Sequence, residues 1–103
     1  MRFLLKVSMP VEAGNDGARK DGFKQLQSIL EQQKPEAAYF LADDGKRTGM
    51  FIISMDDASQ IPAIAEPWFL AFNASIELKP VMLPADLAKA GPAIEQAVKS
   101  YGT

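Results

Sequence analysis

Residues 37–55 read AAYFLADDGKRTGMFIISM, and this stretch decides the fold. Two apolar runs, 37–42 and 48–55, flank Asp43-Asp44-Gly45-Lys46-Arg47. Asp-Gly between apolar runs signals a hairpin, because glycine supplies the positive φ that a tight turn requires. The second run is apolar on both faces, with Met50 and Ile52 on one and Phe51, Ile53 and Met55 on the other. A strand of that kind belongs in the middle of a sheet with cover on each side.

On the N-terminal side, residues 2–9 alternate: Phe3, Leu5, Val7 and Met9 point one way, and Leu4, Lys6 and Ser8 the other. That period of two predicts a first strand starting at the initiator methionine. The short apolar run Phe3-Leu4-Leu5 is broken by Lys6, and no small-residue cleavage site follows, so it does not read as an export signal. Pro10 stops the strand, and Gly14-Asn15-Asp16-Gly17 reads as a loop. Asn15 or Asp16 then caps a predicted helix over 16–33. Ala18, Gly22, Phe23, Leu26, Ile29 and Leu30 fall on one side of it, among charged and amide residues. Pro35 marks its end.

On the C-terminal side, Asp57 with Gln60 fits a capping box, and a second helix runs to about Phe72. Ile61, Ile64, Ala65, Trp68 and Phe72 share a face. Pro67 is interior and predicts a kink or split just before Trp68. Residues 74–83 form a fourth strand with Ile76 and Leu78 on one face and Ser75, Glu77 and Lys79 on the other. Pro80 cannot donate to a ladder, so that strand is expected to lie at an edge or to bend there. A helical turn at 84–90, a break at Gly91-Pro92 and a helix at 92–101 complete the chain.

The order strand, helix, strand, strand, helix, strand predicts an α+β ferredoxin-like plait over residues 2–83, with a helical tail over 84–103, as one domain over 1–103. Helices cover one sheet face. The other holds Leu4, Lys6, Ser8, Met50, Ile52, Ser54, Ser75, Glu77 and Lys79. It is too apolar at its centre to leave wet and too polar for a monomer core, so a second copy packing sheet to sheet is expected.

Composition narrows the chemistry. The 103 residues contain neither histidine nor cysteine. That removes the commonest proton carrier at neutral pH, the thiol nucleophile, a major metal ligand and every disulfide. The chain is expected to work without metal or cofactor, and its lack of cysteine is compatible with a reducing cytoplasm. Net charge is −2, and no stretch concentrates Lys and Arg, so no nucleic-acid or anionic-membrane partner is expected. No apolar run approaches the roughly 20 residues of a membrane helix.

The strand order, the length, the hairpin and the second helix running into a Pro-broken last strand resemble the dimeric α/β-barrel superfamily. That superfamily includes muconolactone isomerases, cofactor-free antibiotic-biosynthesis monooxygenases and YciI-like proteins. Residues 61–73, IPAIAEPWFLAFN, resemble a group of small bacterial proteins within it. The resemblance implies a homodimer closing an α/β barrel. The His–Asp pair of YciI-like proteins and the histidine of haem-handling members have no counterpart here.

Two candidate sites follow. Trp68, Phe69 and Phe72, with Tyr39 and Lys79, are candidates to bind a small apolar or aromatic ligand; the plainer reading makes the aromatic residues core. Lys6 and Glu77 fall on one face of neighbouring strands, which offers Glu77 as a general base and Lys6 as the stabiliser of a developing enolate. The plainer reading is a cross-strand ion pair at a dimer interface. The expected function is therefore a ligand-binding dimer, with a cofactor-independent isomerase or monooxygenase as the alternative. Asp43-Asp44 reads as solvated turn chemistry, and neither a P-loop nor a Gly-x-Ser-x-Gly pattern occurs.

Overall fold

The computed structural model describes residues 1–102. Strands β1 (Arg2–Ser8), β2 (Ala37–Asp43), β3 (Lys46–Ser54) and β4 (Ser75–Pro80) form one antiparallel sheet of order β2-β3-β1-β4. Helices α1 (Val11–Arg19), α2 (Gly22–Gln33) and α3 (Ile61–Phe72) belong to the plait, and α4 (Pro84–Lys89) and α5 (Gly91–Tyr101) to the tail. This is the α+β ferredoxin-like arrangement that the strand and helix order predicts. The sheet of one chain is open, with β2 and β4 at its edges, and is not a closed barrel. No helix among the described residues is long and apolar enough to cross a membrane.

The hairpin forms as its sequence dictates. Asp43 pairs with Lys46, and between them Asp44 (φ 53°) and Gly45 (φ 72°) both take positive φ. Two left-handed residues in a row make the turn whose twist matches the strands it joins. The core lies between the sheet and its helices. Leu5 and Val7 of β1 and Phe51 and Ile53 of β3 meet Ile29 of α2 and Trp68 and Phe72 of α3, all buried. The 3₁₀ turn Ala58–Gln60 leads into α3, and its capping box is complete. The Ser59 amide donates to Asp57 Oδ1 at 2.8 Å, and the Asp57 amide donates to Gln60 Oε1 at 3.1 Å. The Ser59 amide holds the Asp57 carboxyl below its ordinary range.

Four expectations need correction. Residues 14–17 are not a loop; they lie inside α1. Nothing from Val11 to Ala13 breaks a helix, so the chain turns directly from Pro10 into α1, with Glu12 against the positive end of its dipole. Asn15 and Asp16 therefore cap nothing. The helix expected over 16–33 is instead two helices, α1 and α2. Asp21, at φ 65°, breaks them apart. Pro67 does not split α3, which runs unbroken through it. The missing proline N–H removes the helical donor to the Ala63 carbonyl, and Ala63 is exposed, so no buried acceptor is stranded by the loss. The fourth strand also ends at Pro80, short of residue 83.

Candidate functional site

The structure contains an apolar cleft of about 690 Å³ between α1, α2 and the β2–β3 hairpin. Its origin is legible in residue sizes. On α1, Gly17 and Ala18 bring little bulk to the cleft, while Gly14 and Gly49 let the side chains of Arg47 and Phe51 lie directly on the backbone. Val7, Phe51, Trp68 and Phe72 form the floor. Val11, Phe23 and Leu26 wall it on the helix side, and Phe40 on the strand side. Phe23 and Phe40 are 65% and 56% exposed. Two large, mostly exposed aromatic rings lining one cleft are the feature a monomer core does not explain.

The floor is an aromatic series. Phe40 meets Phe51 edge-on at 5.6 Å between centroids, Phe51 stacks on Trp68 at 5.2 Å, and Trp68 stacks on Phe72 at 5.9 Å. Trp68 is fully buried and donates its indole N–H to Gln33 Oε1 at 3.2 Å. Gln33 Nε2 in turn donates to the Ile64 carbonyl at 2.9 Å, so the amide is held from both ends. Among the described residues, the only charged ones lining the cleft are Lys46 and Arg47, both cations. Arg47 Nη1 donates to Asn15 Oδ1 at 2.9 Å, which fixes the guanidinium at the mouth beside a neutral partner.

On the opposite sheet face, Lys6 and Glu77 are register partners of β1 and β4, as predicted. They line a polar recess of about 180 Å³ with Ser8, Asp43, Asp44 and Ser75. They do not pair with each other. Lys6 Nζ lies 2.6 Å from Asp43 Oδ2, and Glu77 lies 3.7 Å from Lys79 Nζ. The long lysine stem reaches across β3 to the hairpin carboxylate, and its hydrogen bond to Asp43 raises the Lys6 amine above its ordinary range. The Glu77 side chain is 57% exposed, so a single chain does not enclose it as a base in a dry site.

The sequence-predicted ligand residues thus separate. Trp68 and Phe72 meet under the cleft. Phe69 projects from the exposed part of α3, Tyr39 stands exposed on β2, and Lys79 is exposed on edge strand β4; none lines the cleft. Sequence reasoning missed Val11, Phe23, Phe40 and Arg47. The signal in the sequence is the pair of glycines at 14 and 49, over which the Arg47 and Phe51 side chains lie.

A family model described as a domain of unknown function, DUF3303, matches residues 1–95. No curated protein matches the chain. Among solved structures, a formyltetrahydrofolate deformylase from Pseudomonas putida KT2440 is similar over 79% of this chain at 17% identity, with a TM-score of 0.50. The match spans 29% of that structure's chain, and at this identity it speaks to fold alone.

Proposed function

From the premise that the chain belongs to the DUF3303 family, we propose that it is a small-molecule binding module whose ligand occupies the cleft between α1, α2 and the hairpin. The observation that carries this reading is the 690 Å³ apolar cleft with exposed aromatic lips and a buried aromatic floor. Volumes of several hundred Å³ lined by aromatic residues with a few polar groups at the rim are characteristic of ligand sites. A flat aromatic body would extend the series of stacked rings. Arg47 and Lys46, with no carboxylate among the lining residues, favour an acidic head group at the mouth.

The module acts as a homodimer through the open sheet face, where Leu4, Met50 and Ile52 remain partly exposed beside exposed Tyr39 and Leu41. The resemblance to dimeric α/β barrels supports this pairing, and the cysteine-free composition supports a cytoplasmic setting. Catalysis by Glu77 has no closed cavity to support it in the single chain.

Thermal-shift measurements with 1-naphthaleneacetate and its neutral amide test the ligand reading. At ten times Kd the acid stabilises by about 1.4 kcal/mol, which raises Tm by several degrees. Arg47→Gln is expected to weaken the acid by about tenfold and leave the amide unchanged. Equal loss for both compounds, or no shift with either, contradicts the reading.

A further inference from the structure

The tail of the chain has no core of its own. Neither α4 nor α5 buries a residue, and every residue from Pro92 to Tyr101 is exposed. Yet α5 is amphipathic: Ile94, Val98 and Tyr101 recur at four- and three-residue spacing and are 50%, 59% and 88% exposed. A helix of 11 residues is marginal in water without a surface to pack on.

The global dimensions carry the same message. The chain extends 58 Å along its long axis, with a radius of gyration of 17.5 Å, against about 13 Å for a domain of this length. Its accessible surface is 7306 Å², about 1,600 Å² more than the roughly 5,700 Å² of a folded monomer of 11.2 kDa. Two copies that each bury this excess remove about 3,200 Å² together, which lies within the range of obligate homodimers. The surplus surface is therefore of the size a second copy covers.

We propose that residues 84–101 form an arm that docks on a second copy of this chain, laying Ile94, Val98 and Tyr101 against the open sheet face of that copy. The proposal rests on the homodimer reading above and adds the element that crosses between copies. Position favours it. The Val81 amide donates to the Arg2 carbonyl, so the chain leaves the sheet at the start of β1. On the open face near that end lie Leu4 and its register partner Ile52, both apolar and partly exposed. An arm projecting from there meets a copy stacked on that face. Two-fold symmetry makes the exchange reciprocal, each copy giving one arm and receiving one.

The absence of native cysteine makes the test clean. Full-length Val98→Cys and Ile52→Cys variants are mixed, unfolded and refolded together, then oxidised. A second mixture pairs Val98→Cys with Phe23→Cys on the lip of the cleft. The expected result is a disulfide-linked heterodimer in the first mixture and little in the second. Ile94→Asp, which touches no core residue, is expected to keep the circular dichroism of the wild type and weaken the dimer by about tenfold or more. A dimer by light scattering that crosslinks only through Phe23, or through neither pair, overturns the arm and leaves the dimer standing. A monomer overturns both.

Discussion

Trp68→Ala is expected to destabilise the chain by about 3–5 kcal/mol, the cost of removing a large aromatic side chain from a packed core. Trp68 is completely buried and stacks between Phe51 and Phe72, so the void it leaves is walled by rings that cannot collapse far. The substitution also strands the Oε1 of Gln33, whose other end is tied to the Ile64 carbonyl. Domains of this size are stable by roughly 5–15 kcal/mol, so the variant loses a large share of its margin. Urea denaturation followed by circular dichroism measures the loss. Trp68→Phe, which keeps a ring in place, is expected to lose less. A cost below about 1 kcal/mol for alanine would mean that the aromatic series is not structural.

Gly22→Ala is expected to cost about 1–3 kcal/mol, although alanine is the better helix former. A Cβ on Gly22 would lie 2.8–2.9 Å from the oxygen, carbonyl carbon and Cα of Gly17. Those are backbone atoms of α1, so the two helices must separate to admit the methyl group. Because α1 and α2 wall the cleft, the same substitution is expected to change ligand affinity as well as stability. Gly91→Ala is the control: nothing lies within 4 Å of its added Cβ, and it is expected to be neutral or stabilising. Equal effects of the two substitutions would contradict the close packing of α1 on α2.

That contact also explains where sequence reading reached its limit. The hairpin at 43–47, the partner faces of β1 and β4 and the capping box at Asp57 follow from local chemistry, and the structure has each of them. Each depends on residues adjacent in sequence or on strict alternation. The split between α1 and α2 does not. Residues 16–33 keep a helical spacing of apolar side chains across the break, and only the close approach of Gly22 to the backbone of Gly17 shows why position 22 needs glycine. Propensity argued for a loop at 14–17, where tertiary packing holds a helix.

The candidate site was legible in the same uneven way. The spacing of Trp68 and Phe72 reads first as core, and both are buried there; their inner faces also floor the cleft. Its walls were missed because Phe23 sat on an apolar stripe that reads as core, whereas α2 turns its Gly22–Ile29 face inward and leaves Phe23 exposed. Tyr39, Phe69 and Lys79 lie elsewhere because neighbours in sequence point to opposite faces of a strand or different sides of a helix. Lys6 and Glu77 are register partners, as strand alternation implies, yet each side chain pairs with another residue. Register fixes where a Cβ stands but not where a flexible charged stem ends.

The most direct measurement is an amide chemical-shift map of the full chain titrated with 1-naphthaleneacetate. The account predicts saturable shifts confined to α1, the first turns of α2 and the β2–β3 hairpin, with the single Trp68 indole resonance moving alongside them. Shifts centred on Lys6, Ser75 and Glu77, across the sheet, would move the site to the other face. No saturable shift at millimolar acid would contradict ligand binding in the cleft.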